Sequence, residues 1–383
     1  MGVDLSEDQR LFVETSERFL AAEWPSSRVR ETASDAAAFP NDLWRTGAEL
    51  GWTSLLVDPA DGGGSLSDSG VRDLSLVAEL FGRHVAPGPL VPTHVVAAAL
   101  SRWGSPELRA EWLPGILAGE TVASFVASPD VGRSPCGVTA RSSANGVVVL
   151  DGTARAVETA GAASFHLVHA ASPDGDGDVL VVVPAGTDGV QVAAQESLDL
   201  ARRFGTVSFH GCEVPSSSAL LRGTAASEAA LSLCQTAAAL QCVESTGAAA
   251  RVFEFTLEWA FDRYSFGRPL ASYQEIKHRF ADMRTSLEAC AATADAAIAA
   301  VGRDDLSTAE LVSVAQAYVS DQTCEIVQDC VQIHGGIGVT YEHDIHLYLR
   351  RVTTNWAQHG APVTHLEFLA ELLDEQTSVQ ARH

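Results

Sequence analysis

The chain has 383 residues, of which 46% are hydrophobic and 19% are charged. This apolar content is enough to bury one large core or two to three smaller ones, which excludes intrinsic disorder as the main state. The 49 acidic residues outnumber the 25 basic ones, and the formal net charge is −24. A surface this acidic repels phosphate groups, which disfavours binding to nucleic acids and to anionic membranes.

The N-terminus and the cysteines indicate the cellular compartment. The first twenty residues mix acids with apolar positions, and no segment approaches about 18–20 consecutive apolar residues. We therefore expect a soluble, cytoplasmic protein without membrane insertion. The cysteines show neither a CxxC pair nor the spacing of a zinc site, so we expect reduced, mostly buried thiols and no metal. They are Cys136, Cys212, Cys234, Cys242, Cys290, Cys324 and Cys330.

Residues 1–120 have the apolar periodicity of an α-helical domain. Ser6-Glu7-Asp8-Gln9 has the form of a capping box before a helix. Further helices are predicted at 41–50, 69–81 and 92–103. The three glycines at 62–64 predict a turn rather than a phosphate-binding loop, because no Gly-Lys-Ser pattern accompanies them.

The apolar period falls toward two over residues 121–220, which predicts a β domain. Short runs such as GVVVLDGTAR and VLVVVPAG are bounded by turn dipeptides such as Asn145-Gly146 and Asp188-Gly189. Residues 221–383 are helical again, with long Ala-rich stretches predicted at 225–262, 272–301 and 308–334. The domain order is therefore predicted as α–β–α.

Two sequence blocks in the C-terminal part carry a resemblance to a known family. The first is RYSFGRP at Arg263–Pro269, and the second is QIHGGIGVTYEHD at Gln332–Asp344, which leads to Arg350-Arg351. In this order they resemble the acyl-CoA dehydrogenase family of flavoproteins over essentially the whole chain. The resemblance implies an α+β fold with an N-terminal helical domain, a middle antiparallel β-barrel-like domain and a C-terminal helical bundle.

The resemblance also implies an FAD site that two chains share. By matching position, one FAD is served by Arg263, Ser265, Phe266 and Gln274, and the partner chain contributes Gln332, Gly335 and Gly336. A guanidinium group and glycine backbone N–H groups are suitable partners for a pyrophosphate. Phe266 is equally consistent with a plain core aromatic residue. A shared site makes the protein an obligate homo- or hetero-oligomer, either a dimer or a tetramer.

The β domain departs from the family pattern where the family lines the flavin ring. Members commonly carry Thr-Glu-Pro and Trp-Ile-Thr segments, but this chain has Ala127-Ser128-Pro129-Asp130 and Val157-Glu158-Thr159. Thr159 alone keeps a matching hydroxyl group. It either bonds the flavin edge or is a sheet-edge threonine without a ligand.

The catalytic base is the second departure. Dehydrogenation of an acyl thioester needs a base for the α-proton while a hydride leaves the β-carbon for flavin N5. The glutamate that many members carry is replaced here by Gln358-His359-Gly360. Glu244 is the candidate base, because it resembles a catalytic glutamate on the same helix of actinobacterial steroid side-chain dehydrogenases, many of which have two different subunits. A purely structural role for Glu244 is the alternative, and His359 is a weaker candidate for the base.

Glu244 and Arg263 are predicted to serve different active sites. They are separated by 19 positions (263 − 244), or roughly 28 Å along one helix. The small and apolar neighbours of Glu244 leave room for a ligand and predict a partly desolvated carboxylate. One helix would therefore supply Glu244 to its own site and Arg263 to the neighbouring one.

These observations favour FAD-dependent oxidation of an acyl-CoA thioester to the 2-enoyl-CoA, with an electron-transfer flavoprotein as the acceptor. A second hypothesis is a carrier-protein-linked acyl dehydrogenase of secondary metabolism. The acidic surface disfavours it, because carrier proteins are themselves usually acidic. A third hypothesis is a non-catalytic partner subunit that completes a flavin site in a hetero-oligomer, which the departures in the β domain allow.

Overall fold

The computed structural model describes most of the chain, namely residues 5–32, 39–128, 137–143, 145–173, 177–303, 305 and 307–380. Its first part is helical, as the periodicity predicts. The helices are α1 (Glu7–Glu23), α2 (Ser26–Glu31), α3 (Asn41–Glu49), α4 (Gly70–His84), α5 (Leu90–Trp103) and α6 (Pro106–Leu117). The predicted capping box is present, since Ser6 Oγ accepts the Gln9 N–H at 3.1 Å and Gln9 Oε1 accepts the Ser6 N–H at 3.0 Å. The predicted glycine turn follows a short 3₁₀ helix (Pro59–Asp61), and Gly62 caps this helix with φ of +88°.

The middle part forms two four-stranded sheets with the orders β1-β4-β5-β8 and β2-β3-β7-β6. The strands are β1 (Ala123–Val126), β2 (Val138–Ser143), β3 (Val147–Glu158), β4 (Phe165–Ala170), β5 (Val179–Pro184), β6 (Val190–Gln195), β7 (Phe204–Pro215) and β8 (Ala219–Arg222). Valine-rich inner faces of both sheets share one core.

The expected fold class is confirmed, but two details of the β domain differ from the expectation. The sheets do not close into a barrel, because among the described residues a single bridge between Thr139 and Ala171 joins them outside the named strands. The domain is also not wholly antiparallel, since β1 pairs in parallel with β4. The physical reason is the chain path: β1 enters from the helical part, and β2 and β3 lie in the other sheet before the chain returns at β4.

The C-terminal part is a helical bundle, and the three long helices that the sequence predicts are confirmed. The elements are α7 (Thr224–Asp262), a hairpin of β9 (Tyr264–Ser265) and β10 (Arg268–Pro269), α8 (Gln274–Arg303), α9 (Thr308–His334), α10 (Ile345–Ala357) and α11 (Pro362–Gln380). Helix α7 contacts α4, α5, α8, α9, α10 and the β domain. It is therefore the element that connects all parts of the molecule.

Two glycines allow α4 and α7 to approach closely. A Cβ atom on Gly82 would lie 1.9 Å from the Glu244 carbonyl oxygen, and one on Gly247 would lie 2.3 Å from the Glu79 carbonyl oxygen. Neither distance is compatible with a side chain, so backbone meets backbone at this crossing. The crossing fixes the depth at which Glu244 lies in the bundle.

The described cysteines are free thiols, as expected, and Cys136 lies outside the described residues. Burial raises the pKa of the Cys290 and Cys330 thiols to about 12.

No helix within the described ranges is long and apolar enough to cross a membrane. The same ranges contain no group of three or more His, Cys, Asp or Glu side chains suited to holding a metal ion.

Candidate active site

Glu244 lies in the middle of α7, and its side chain belongs to a buried network of charges. The residue is 1% exposed. Its two carboxylate oxygens accept hydrogen bonds from different arginines, Oε2 from Nη2 of Arg202 and Oε1 from Nη1 of Arg351. Both carboxylate oxygens are therefore occupied by charge-assisted hydrogen bonds.

Arg202 comes from the connection between β6 and β7 and ties the β domain to the helical bundle. Its Nη1 group also donates to Oδ1 of Asn355 and to Oε1 of Gln358, both at 3.0 Å. Its Nε group lies 3.5 Å from Oε1 of Glu158, at the end of β3. Burial opposes the charge on Arg202, but Glu158 and Glu244 raise its pKa above the ordinary value. Arg202 therefore stays protonated.

Arg351 on α10 is fully buried and completes the network. Its Nε group donates to Oδ2 of Asp199, and its Nη2 group donates to the Ala86 carbonyl oxygen at 3.0 Å. Removal of one partner from such a buried ion pair typically lowers the free energy of unfolding by about 3–5 kcal/mol, because the remaining charge is left uncompensated. The network thus holds the connection after β6, α7 and α10 in one arrangement.

Glu158 is the second carboxyl group at this junction. It lies in the Val157-Glu158-Thr159 segment, and burial raises its pKa above the ordinary value despite the nearby Arg202. The site also contains an unsatisfied acceptor, since Oε1 of buried Gln241 has no hydrogen-bond partner among the described residues. An unpaired buried amide oxygen is uncommon and marks a place where a ligand group can bond.

Thr159 and His359 both have left-handed backbone, with φ of 57° and 54°. The Thr159 hydroxyl donates to the Glu158 carbonyl oxygen at 2.7 Å, and the residue is 4% exposed. Burial and the charge of Arg202 lower the pKa of His359 to about 4. The imidazole is therefore neutral at pH 7 and a weak base. Strained non-glycine residues cluster at functional sites. Thr159 is close to this one, since its N–H donates to the carbonyl oxygen of Arg203, next to Arg202, at 2.9 Å.

The first group of residues predicted to bind FAD lies just beyond the C-terminal end of α7, in and next to an exposed hairpin. Arg263 follows the last turn of α7, and its guanidinium lies 5.7 Å from the Trp259 ring centroid. Phe266 at the hairpin tip is 97% exposed, so it is not a core residue of this chain. Ser265 pairs with Arg268 in the hairpin, and Gln274 begins α8.

Gln332, Gly335 and Gly336 lie beside this hairpin in the same chain. The ring of His334, next to Gly335, stacks on Trp259 with centroids 5.3 Å apart. Gly335 has φ of +66°, and a Cβ atom at Gly335 or Gly336 would meet nothing within 4 Å. An exposed guanidinium and an open glycine turn fit an extended pyrophosphate ligand. The two segments adjoin in one chain. Their assignment to opposite chains remains a prediction.

Sequence reasoning did not identify Asp199 and Arg202 as members of the site. The sequence did carry a signal for a charged site here. In a strongly acidic chain, the DLARR segment places two adjacent arginines between two predicted strands. The pairing could not be inferred, since Glu244 lies 42 positions from Arg202 and 107 positions from Arg351.

Comparison with known proteins shows which family has this architecture. The model of the acyl-CoA dehydrogenase N-terminal domain matches residues 6–120, and that of the C-terminal domain matches 224–373. Acyl-CoA dehydrogenase IpdE2 of Mycolicibacterium smegmatis is 27% identical over 360 residues, covering 94% of this chain and 96% of the relative. A solved structure of the Tcur3481-Tcur3483 steroid ACAD is 26% identical, with a TM-score of 0.86, and the match covers 97% and 99% of the two chains. The chain therefore belongs to the acyl-CoA dehydrogenase family of FAD-dependent oxidoreductases.

Proposed function

We propose that this chain oxidises an acyl-CoA thioester to the 2-enoyl-CoA and that Glu244 is the base that removes the α-proton. The observation that carries the proposal is the position of Glu244, a buried carboxyl group where α7, α10 and the β domain meet. FAD supplies the hydride acceptor when it is bound. The residues of this chain supply the base, the exclusion of water from the site and the contacts that bind the cofactor.

The two arginines set a condition on proton removal. A carboxylate that accepts hydrogen bonds from Arg202 and Arg351 at once has neither oxygen free to take up a proton. Proton transfer therefore requires one guanidinium to turn away when the thioester enters. Arg202 is the better candidate, because it lies in a connection between strands, whereas Arg351 is fully buried on α10 and is also bound to Asp199 and to the Ala86 carbonyl oxygen.

The substrate class that we propose is a steroid side-chain acyl-CoA. One structural relative is named a steroid ACAD, and it resembles this chain over nearly its whole length. An electron-transfer flavoprotein would reoxidise the cofactor. FAD would be held by Arg263, Ser265, Phe266 and Gln274 together with Gln332, Gly335 and Gly336, and Thr159 would contact the flavin edge.

A second candidate function is that of a partner subunit without a base of its own. The observation that favours it is the pairing of both Glu244 oxygens, which leaves neither free for a proton in the resting chain. In this case the exposed hairpin and glycine turn would complete a flavin site on a different subunit. Glu244 would then have a purely structural role.

Purification of the chain alone distinguishes the two functions. The dehydrogenase predicts a yellow protein whose flavin absorbance bleaches under anaerobic conditions with a CoA thioester. The panel of substrates should run from short fatty acyl-CoA to steroid side-chain acyl-CoA, with the matching carrier-protein thioesters as a comparison. A colourless chain that gains FAD only with a second polypeptide would overturn the first proposal and support the partner subunit.

A further inference from the structure

Glu158 is a largely buried carboxyl group beside the Glu244 network. Its side chain is 12% exposed, and its Oε1 atom lies 3.5 Å from Nε of Arg202. Hydrogen bonds from N–H groups are usually about 2.7–3.2 Å long, so this contact is an ion pair without a formed hydrogen bond. The other groups of the guanidinium donate elsewhere, Nη2 to Glu244 and Nη1 to Asn355 and Gln358. Glu158 therefore lies next to a guanidinium that another carboxyl group holds.

The backbone of β3 is distorted on both sides of Glu158. The pairing of β3 with β7 shifts register between residues 154 and 157, as in a β-bulge. Ala156 and Thr159 both have left-handed backbone, with φ of 53° and 57°. Bulges re-aim side chains, and strained non-glycine residues cluster at functional sites. These distortions set the direction in which the Glu158 side chain leaves the strand, toward Arg202.

The charged groups at this junction are unequal in number. Three carboxyl groups, Glu158, Asp199 and Glu244, face two guanidinium groups, Arg202 and Arg351. Asp199 and Glu244 accept hydrogen bonds from these arginines, which leaves Glu158 without a cation of its own. Burial raises the pKa of Glu158, and the nearby Glu244 and Asp199 add to the rise, against the opposing effect of Arg202 and Arg351.

We infer that Glu158 is a positioning residue that takes over Arg202 when this guanidinium leaves Glu244. In the resting chain Glu158 holds a proton. When Arg202 turns toward it, Glu158 releases that proton to water and becomes the new partner of the guanidinium. Glu244 then takes up the α-proton, so one proton enters the network as another leaves it, and the total charge returns to its resting value.

The movement that this requires is short. Nε and Nη2 belong to one rigid, planar group, so a turn that brings Nε to its new acceptor also changes the position of Nη2. Shortening the contact between Arg202 and Glu158 from 3.5 Å to about 2.9 Å completes a hydrogen bond. The part that Glu158 has in the reaction rests on the proposed function of Glu244, whereas the change of partner by Arg202 does not.

Infrared spectra of the full-length chain with ¹³C-labelled glutamate test the change of partner without a ligand. A protonated carboxyl group absorbs at a higher frequency than a carboxylate, and the label separates glutamate from aspartate. The wild type at pH 7 should show a protonated signal that Glu158→Gln lacks. Glu244→Gln should lose the same signal, because Arg202 is then released to Glu158 and ionises it.

Glu254→Gln is the matched control for Glu244→Gln. Glu254 lies on the same helix and accepts hydrogen bonds from Arg83 at 2.7 and 3.0 Å, so its variant should keep the signal. Circular dichroism verifies that each variant is folded. If Glu244→Gln unfolds the chain, Glu244→Asp takes its place; its shorter side chain draws the carboxyl group back from Arg202 and should weaken the signal.

The reaction supplies a second readout. In the flavin-loaded chain, Glu158→Gln should slow exchange of the substrate α-proton at least about tenfold, because Arg202 then has no second carboxylate to receive it. Glu158→Asp keeps the carboxyl group and should recover most of the rate. A merely structural role of Glu158 would not connect this rate to the infrared signal.

Three results would overturn the inference. A protonated signal that is unchanged in Glu158→Gln would show that Glu158 is ionised at rest, and one that survives in Glu244→Gln would show that Arg202 does not change partner. Wild-type exchange in Glu158→Gln, alongside slow exchange in Glu244→Gln, would remove Glu158 from the reaction. Wild-type exchange in Glu244→Gln would instead contradict the proposed base, and the infrared spectra would still decide the change of partner.

Discussion

His166 shows how one buried residue affects the stability of the whole chain. It is fully buried between the sheets, and its Nδ1 atom lies 2.6 Å from Oγ of Ser124 on the parallel strand β1. Its Nε2 atom has no hydrogen-bond partner in the part of the chain that the structure describes. Burial lowers the pKa of His166 from 6.5 to about 4, so the folded chain keeps the ring neutral under conditions where the unfolded chain protonates it.

This difference predicts an acid-sensitive contribution to the free energy of unfolding. Above about pH 6.5 neither state binds the proton, and the contribution is constant. As the pH falls from about 6.5 to 4, the unfolded state gains a proton that the folded state does not, so stability should fall by up to about 3 kcal/mol. Urea denaturation across this range should show a smaller fall in His166→Asn. The exposed control His210→Asn should follow the wild type, and an unchanged pH dependence in His166→Asn would contradict the account.

The crossing of α4 and α7 illustrates how far element positions follow from sequence. Long helices with breakers at their ends were predictable, because apolar periodicity and capping are local properties. The crossing itself was not, since nothing local in the sequence pairs Gly82 with Glu244 or Gly247 with Glu79. The same holds for the arginine partners of Glu244, which come from distant parts of the chain.

Gly82→Ala should destabilise the protein by about 1–3 kcal/mol or more, because the new methyl group would meet the Glu244 carbonyl oxygen at 1.9 Å. Thermal or chemical denaturation measures the loss. Gly64→Ala is the control, since its Cβ atom would have nothing within 4 Å. Equal stability of the two variants would show that the helices do not cross as closely as described.

The hairpin after α7 makes a separate prediction about the cofactor. Removing the Arg263 guanidinium should cost a charge-assisted hydrogen bond of about 1.5–3 kcal/mol, so Arg263→Ala should lose FAD on gel filtration. Arg268→Ala is the matched control, because Arg268 is in the same hairpin and stacks on Tyr273 at 3.8 Å within the chain. A full complement of FAD in Arg263→Ala would show that the pyrophosphate is bound elsewhere.

At the scale of the whole molecule, the two candidate sites lie at different places along α7. The exposed hairpin and glycine turn sit beyond the C-terminal end of the helix, whereas Glu244 is buried in its middle. If these exposed segments bind the flavin, as we propose, the site is complete only with a neighbouring chain. Soluble oligomers are usually closed and symmetric, which favours a dimer or a dimer of dimers.

Light scattering should therefore find the flavin-loaded protein as a dimer or tetramer at micromolar concentration. Dissociation should release FAD. A stable monomer that retains its flavin would contradict a shared site.

The central claim is that Glu244 removes the α-proton, and exchange of that proton with deuterated solvent tests it directly. Glu244→Gln keeps the shape and one acceptor but cannot take up the proton, and loss of a general base typically costs about 10²–10⁴-fold. We expect α-proton exchange of the bound acyl-CoA to slow at least about a hundredfold in Glu244→Gln and less than about tenfold in His359→Gln, with flavin content normal in both. A wild-type exchange rate in flavin-loaded Glu244→Gln, or a larger loss in His359→Gln, would contradict the account.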